Sequence, residues 1–185
     1  MTTDAAAARI IQALDSLGIP NMLVGSYSRN YYAIPRSTKD VDIVVELSSM
    51  ALLNDLSRLI APDFFIDDQI TFETITGNVR HIIRAHKSPV VIELFMLGDD
   101  EFQKHRFANR RRVSIPALNV QVSLPSAEDV VIQKLRWARP KDLDDVVDVL
   151  AVQAGHLNHT YIQDWCRRLN ILDRYEAVLA TVPEI

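Results

Sequence analysis

The sequence predicts an α/β (α+β) fold, in which a mixed β-sheet with flanking helices is followed by a C-terminal helical segment. Three observations predict it: helical apolar stripes alternate with short apolar runs at the start, the middle reads as several strands, and residues from 126 onward have helical periodicity. The 185 residues are 48% hydrophobic and include one cysteine, which excludes a disordered chain and a disulfide scaffold. We expect a body over residues 1–124 and a helical segment over 125–185 that packs on it.

The predicted elements of the body follow from its periodicity and turn residues. Residues 4–17 predict an amphipathic helix that Asp4 caps and Gly18 ends. The remaining predicted helices of the body cover 27–33, 48–60 and 99–107, and the predicted strands cover 21–24, 40–46, 64–66, 70–76, 80–86, 90–95, 111–115 and 120–123. On the helix over 48–60 we expect a buried face that includes Leu52 and Leu59.

Four helices are predicted after residue 125. Ser126 with Asp129 resembles a capping box, and Asp142 is a candidate cap for the second helix. The last two predicted helices cover 160–169 and 171–181.

The charge and the hydropathy exclude some classes of protein. The net charge is −4, which argues against a protein that coats nucleic acid through bulk positive charge. No apolar run approaches the ~20 residues that cross a bilayer. The first residues lack the basic region of a secretory signal, so we expect a cytoplasmic location.

Two aspartates are the first residues of the chain whose spacing indicates a functional site. Asp40 and Asp42 are two apart in a predicted strand, so both side chains point to the same face. Burying like charges together is costly unless a cation offsets them. Carboxylate oxygens are hard ligands, which favours Mg²⁺ or Mn²⁺.

Two further positions join this pair. A predicted strand ends at Gly25-Ser26, where glycine lets the backbone approach a phosphate and the serine hydroxyl can bind its oxygens. Glu93 is the single charge in an apolar run, so it is a candidate third carboxylate if its strand lies beside the aspartates. The alternative for Glu93 is an ion pair with Arg80 or Arg84, and Glu73 is the rival candidate carboxylate.

Together these residues resemble a known family. The chain resembles the nucleotidyltransferase fold of the DNA polymerase β superfamily in one pattern: Gly-Ser, a spacer, then Arg36-x-Thr38-x-Asp40-Val-Asp42 and a later strand carboxylate. The form looks most like the AbiEii/MenT-type branch and its small stand-alone relatives. A later motif of that branch is similar to a second pattern of this chain, which consists of Lys134, Arg139 and Lys141-Asp142-x-x-Asp145.

The resemblance implies Mg²⁺-dependent transfer of a nucleoside monophosphate from an NTP to an acceptor such as RNA, tRNA, protein or a small molecule. Asp40, Asp42 and Glu93 would then be the catalytic residues and metal ligands. Gly25, Ser26, Arg36, Thr38 and Lys134 would bind the nucleotide and its phosphates. Gly-Ser replaces the commoner Gly-Gly, and Glu93 replaces the usual aspartate.

Several interpretations stay open at this point. Lys134 could lie over packed surface instead of facing a triphosphate, Asp142 could be only a helix cap, and Lys141 could pair with Asp145. The run 104–112 carries five positive charges and no acid; RNA could dock there with Phe107 as a stacking face, or the run could be a solvated loop.

The sequence also leaves alternative functions open. One is a catalytically degenerate relative that binds nucleotide, RNA or a partner protein without turnover. Another is an aminoglycoside-type antibiotic modifier, against which the basic run argues. A toxin-like role would bring an antitoxin as partner, and a homodimer is a further candidate assembly.

Overall fold

The helices and strands come from a computed structural model, which describes residues 1–73 and 77–183. The helices are α1 (Thr3–Ser16), α2 (Gly25–Tyr32), α3 (Met50–Ile60), α4 (Glu101–Ala108), α5 (Ala127–Trp137), α6 (Pro140–Val152), α7 (His159–Arg168) and α8 (Leu172–Leu179). The strands are β1 (Asn21–Leu23), β2 (Asp40–Val45), β3 (Phe64–Ile66), β4 (Thr71–Phe72), β5 (Val79–Ala85), β6 (Val91–Met96), β7 (Arg111–Ile115) and β8 (Val120–Leu124). These elements confirm the predicted mixed α/β class.

The main sheet has six strands in the order β1-β2-β6-β5-β3, with β4 paired to β5. β2 and β6 are parallel, whereas β1–β2, β5–β6, β3–β5 and β4–β5 are antiparallel. The sheet is therefore mixed, as predicted, and β7 and β8 form the separate predicted hairpin. The strand predicted over 70–76 is shorter, because β4 covers Thr71–Phe72. Residues 74–76 of that prediction lie outside the described residues.

The chain forms two compact units. The first comprises Met1–Tyr27 and Ser37–Leu124, and the second comprises Ser28–Arg36 and Pro125–Ile185. The second unit thus combines the C-terminal helices with a short stretch from the amino-terminal part. The division into 1–124 and 125–185 as functional domains stays a prediction.

The core of the first unit lies on one face of the main sheet. Alternate residues of the central strands, such as Val41, Ile43, Ile92 and Leu94, pack with apolar residues of α1 and α3. Because side chains alternate along a strand, the residues between them point to the opposite face. That opposite face carries Asp40, Asp42 and Glu93, so the helices on the other side support the strands without covering these carboxylates.

Two expectations about helices of the first unit are wrong. Thr2, and not Asp4, caps α1 by accepting a hydrogen bond from Ala5 N at 3.2 Å. Asp4 instead accepts a hydrogen bond from the Tyr27 hydroxyl at 2.6 Å. Leu59 is 38% exposed, because the buried face of α3 is formed by other residues: Leu53, Leu56 and Ile60.

The second unit packs its helices α5–α8 around buried residues such as Ile132, Val149, Ile162 and Tyr175. Ser126 caps α5, as predicted, by accepting a hydrogen bond from Asp129 N at 3.1 Å. No helix among residues 1–73 and 77–183 is long and apolar enough to span a membrane.

Candidate functional site

The junction between β1 and α2 brings Gly25 against Asp42. Val24 N donates a hydrogen bond to Asp42 O at 2.8 Å, and Gly25 then begins α2 with a φ of +61°. A Cβ atom at Gly25 would lie 1.9 Å from Asp42 Oδ2, well inside van der Waals contact. Both the backbone conformation and this close approach therefore require glycine at position 25.

The three predicted carboxylates share one face of the main sheet. Asp40 and Asp42 alternate with the buried Val41 and Ile43 along β2. Glu93 on β6 is in register with Asp42, and the backbones of neighbouring strands are about 4.8 Å apart. Asp40 is exposed, whereas Asp42 and Glu93 are half-buried. The sequence made Glu93 a candidate on the condition that its strand lies beside the aspartates, and the pairing of β2 with β6 meets that condition.

Glu93 forms an ion pair with Arg80, one of the two alternatives open from the sequence. Arg80 Nη1 lies 2.8 Å from Glu93 Oε2, and Arg80 Nε donates a hydrogen bond to Thr71 Oγ1 at 3.0 Å. The guanidinium carbon also lies 5.8 Å from the centre of the Phe95 ring. Arg84 pairs with Asp67 instead. Side chains of the two strands that flank β5, namely β4 and β6, thus hold Arg80 on the carboxylate face.

The donor set fits a divalent cation in part. Asp40 and Asp42 supply the hard oxygen donors that Mg²⁺ prefers. Among residues 1–73 and 77–183, however, no three His, Cys, Asp or Glu side chains are grouped so that they could hold a metal ion. Thr38 supports the Asp40 end of β2, since its hydroxyl donates a hydrogen bond to Asp40 O at 3.1 Å. The metal role of Asp40, Asp42 and Glu93 stays a prediction.

Arg36 and Lys134, which the sequence assigns to phosphate binding, belong to an ionic network in the second unit. Lys134 is 5% exposed, and its Nζ lies 3.2 Å from Asp142 Oδ1 and 2.7 Å from Asp145 Oδ2. Arg36 donates to both oxygens of Asp145, at 3.1 and 2.9 Å. Lys134 is therefore buried between carboxylates, and does not lie over apolar surface as one interpretation had it.

The role of Asp142 as a helix cap is wrong. Arg139 occupies the N-cap position of α6, and Asp142 is a fully buried residue of the first turn. Burial alone would raise the pKa of Asp142, but hydrogen bonds from Arg139 and the charge of Lys134 outweigh it, so this pKa lies below its ordinary value. The same balance, with Arg36 and Lys134 as partners, lowers the pKa of Asp145. Both carboxylates are thus held ionised.

Sequence reasoning missed Arg29, which completes this network. Its side chain is 2% exposed, its Nε lies 3.0 Å from Asp145 Oδ1, and its Nη2 pairs with Asp148. Arg29 lies on α2, a helix whose sequence is polar and shows no apolar stripe. A buried arginine in such a helix leaves no periodic signal, and its partners are more than a hundred residues away in sequence.

Solved structures with similar folds are nucleotidyltransferases or resemble them. ANT(2")-Ia, an antibiotic-resistance factor, in complex with adenylyl-2"-tobramycin, is 13% identical with a TM-score of 0.59, over 95% of this chain and 99% of that one. An antigenic nucleotidyltransferase-like protein from Paracoccidioides brasiliensis is 16% identical with a TM-score of 0.53, over 98% and 94% of the two chains. The fold is nucleotidyltransferase-like.

This similarity is seen in structure and not in sequence. No protein-family model matches the chain, and no curated protein matches it. The fold is therefore established, whereas a nucleotidyltransferase-like fold does not by itself assign the AbiEii/MenT-type branch, the acceptor or the metal.

The basic run 104–112 of this nucleotidyltransferase-like fold matches neither of the two interpretations that the sequence left open. Phe107 is 3% exposed and packs with Met22, Val24 and Val44, so it does not offer the stacking face that one of the two interpretations required. The run is also no plain solvated loop, because its first part lies in α4. Lys104 pairs with Asp99 at 2.7 Å, and Arg112 pairs with Asp15 at 2.8 Å.

Proposed function

We propose that the chain is a nucleotidyltransferase that transfers a nucleoside monophosphate from an NTP to an acceptor hydroxyl. The contact between Gly25 and Asp42 carries this proposal. It places the amino-terminal end of α2 directly against a carboxylate of a two-aspartate strand, in a fold shared with nucleotidyltransferases. A phosphate at the helix end and a cation at the carboxylates would then be neighbours, which is the arrangement that phosphoryl chemistry needs.

Different residues of the first unit bind the phosphate and the cation in the proposed reaction. Ser26, with the first N–H groups of α2, binds phosphate oxygens, and Asp40 with Asp42 would hold Mg²⁺ or Mn²⁺. Such a cation supplies charge stabilisation at the α-phosphate when it is bound. The acceptor oxygen forms a bond to the α-phosphorus, the bond to the β-phosphate oxygen breaks, and pyrophosphate leaves with that electron pair. The acceptor's proton passes to a carboxylate of this face.

The experiment is NTP-dependent labelling with and without an intact Asp42. Purified protein is incubated with each α-labelled NTP, Mg²⁺ or Mn²⁺, and separate acceptors: tRNA, total RNA, a protein extract and tobramycin. We expect one acceptor to be labelled by the wild type and labelling to fall at least a hundredfold in Asp42→Asn. Asp55→Asn, which changes an exposed acid of α3, is the matched control and should label normally. Full labelling by folded Asp42→Asn would overturn the proposal.

The Arg80–Glu93 ion pair favours one second candidate, a relative that binds nucleotide without turnover. An arginine on the third carboxylate offsets the charge that a cation would otherwise offset. Calorimetry with each NTP and Mg²⁺ separates the two functions. Binding without labelled product for any acceptor supports this candidate, whereas labelled product excludes it.

A further inference from the structure

A cleft of about 400 Å³ lies in the first unit, at the amino-terminal end of β1. Asn21, the first residue of β1, lines it together with Arg112 and Ser123, which are paired across the β7–β8 hairpin. Asn21 is also in register with Val45, which lies three residues beyond Asp42 on β2, so about 10 Å of strand separates the cleft from Asp42. The cleft is therefore a second candidate site, with a volume typical of sites for small ligands.

The side-chain amide of Asn21 is held in one orientation at this cleft. Its Nδ2 donates a hydrogen bond to Asp15 Oδ1 at 2.8 Å and another to the carbonyl oxygen of Ile19 at 3.1 Å. Exchanging the two ends of the amide would place its oxygen against two other acceptors, so these contacts fix the orientation. In the described part of the chain no donor reaches the amide oxygen, Oδ1, and Asn21 is 4% exposed. Such a buried acceptor costs free energy unless a bound molecule supplies the hydrogen bond.

Arg110 supplies a cation to the same cleft. Its Nη1 donates a hydrogen bond to the carbonyl oxygen of Phe107, and its Cζ lies 4.1 Å from the centre of the Phe107 ring. These contacts hold the guanidinium without neutralising it, and within residues 1–73 and 77–183 it forms no ion pair. Burial lowers the pKa of Arg110, the charge of Glu46 opposes this change, and the charge of Arg112 adds to it. Arg110 is thus a half-buried cation whose charge an anionic ligand would offset.

Asp15 adds a carboxylate beside Asn21. Arg112 Nη2 donates to Asp15 Oδ2 at 2.8 Å, whereas Arg112 Nη1 and Asn21 Nδ2 both donate to Asp15 Oδ1, at 3.4 and 2.8 Å. A carboxylate can accept about four hydrogen bonds, so Asp15 has room for a further donor. Its side chain is 34% exposed, so a ligand can reach it. The cleft therefore offers acceptors on Asn21 and Asp15 and a cation on Arg110.

We propose that this cleft binds a free α-amino acid. The carboxylate of the amino acid pairs with Arg110, and its ammonium donates to Asn21 Oδ1 and to Asp15. Guanidinium groups bind carboxylates through charge-assisted hydrogen bonds, and an ammonium carries three donors for the neighbouring acceptors. An anion without a donor would leave Asn21 Oδ1 unsatisfied, and an amine without an anionic group would leave Arg110 unpaired. The inference does not depend on the proposed transferase function, because that function uses none of these side chains.

The first test is calorimetry of the whole protein with each of the standard L-amino acids in separate titrations. We expect one or a few of them to bind, because the side chain must also fit the cleft. Two analogues of each amino acid that binds are then titrated: one has hydrogen in place of the ammonium, and the other has a primary amide in place of the carboxylate. Affinity should fall at least about tenfold for both, since each loses charge-assisted hydrogen bonds. A smaller loss for either analogue overturns the proposal, as does the absence of binding by any amino acid, which would leave water as the donor to Asn21 Oδ1.

The second test changes Arg110. Arg110→Gln should weaken binding of the same amino acid at least about tenfold, because it removes the cation that pairs with the carboxylate. Arg111→Gln is the matched control, since it removes the same charge one residue away, from an exposed side chain of β7 outside the cleft, and it should bind like the wild type. Equal affinities of the two variants overturn the proposal.

Urea denaturation of both variants shows whether they fold. If Arg110→Gln does not fold, Arg110→Lys replaces it, because lysine keeps the charge and loses the forked arrangement of donors; it should still bind more weakly than Arg111→Gln. The titrations with the two analogues use the wild-type protein, so they decide the proposal in either case.

Discussion

Gly25 shows how one absent methyl group can decide where the Asp42 carboxylate lies. Its φ of +61° is accessible to glycine at little cost, and its Cα faces Asp42 so closely that a side chain would overlap Oδ2. Strain from the backbone and overlap with the carboxylate are separate effects. A second glycine of the chain makes it possible to measure them separately.

Gly25→Ala should therefore cost more than Gly18→Ala. Both glycines have a positive φ, +61° and +64°, but a Cβ at Gly18 has no atom within 4 Å. We expect about 1 kcal/mol of destabilisation for Gly18→Ala from the backbone alone, and a larger loss for Gly25→Ala. If the proposed function holds, displacement of Asp42 should also reduce labelling about a hundredfold in Gly25→Ala only. Equal unfolding free energies in urea for the two variants would contradict this expectation.

The roles of site residues could be predicted where the residues belong to a local sequence pattern. They could not be predicted where the contacts come from distant parts of the chain. Gly25 and Asp42 belong to local patterns, a strand end and an alternating strand, which can be read without the fold. The family resemblance implied a phosphate-binding role for Lys134, and nothing in its own helix shows that Asp145, on the next helix, approaches its ammonium to 2.7 Å. Arg80 stayed one of two alternatives for Glu93, since the strand pairing that decides it depends on the whole sheet.

At the scale of the element, α6 combines an apolar stripe with a charged one. The sequence predicted this helix correctly from the apolar stripe Leu143, Val146, Val147 and Leu150. The buried apolar residues of the helix are Val146, Val149 and Leu150. Asp142 and Asp145 are also buried, although charged side chains are normally found outside. Arginines and a lysine from other segments offset these two charges, so the helix is stable in this position only with those partners.

Substitution of Arg29 measures how much the ionic partners of α6 contribute to the stability of the fold. We expect Arg29→Met to lower the free energy of unfolding by about 3 kcal/mol, because it leaves the buried Asp145 carboxylate with fewer partners. Arg58→Met is the matched control, since Arg58 is exposed and pairs with Asp55 three residues away in α3, where such pairs contribute less than about 1 kcal/mol. Denaturation in urea measures both variants. A loss below 1 kcal/mol for Arg29→Met would show that the network contributes little to stability.

At the scale of the whole molecule, the two units give stability two separate dependences on pH. Burial lowers the pKa of His81, in the first unit, below its ordinary value of 6.5. The unfolded chain therefore binds this proton more readily, and stability falls as the pH drops below about 6.5. In the second unit the pKa values of Asp142 and Asp145 are lower in the folded protein than their ordinary value of 3.8, so these carboxylates stabilise the fold at pH values above 3.8. That stability is lost as the pH falls through the pKa values of the folded state.

Unfolding in urea between pH 7 and pH 3 should therefore show two declines. His81→Gln should remove the upper decline and leave the lower one unchanged, because the two groups belong to different units. If the upper decline persists in His81→Gln, it arises from another group.

The assembly of the second unit from two separated stretches has a consequence during synthesis. Arg29 precedes its partner Asp148 by 119 residues, so at ~5–20 residues per second the ribosome needs roughly 6 to 24 s between them. Through that interval the Ser28–Arg36 stretch lacks the helices it will pack with, while the strands of the first unit are being completed. A nascent chain halted before α6 would thus contain Arg29, which is buried in the folded protein, without the Asp145 and Asp148 carboxylates that pair with it.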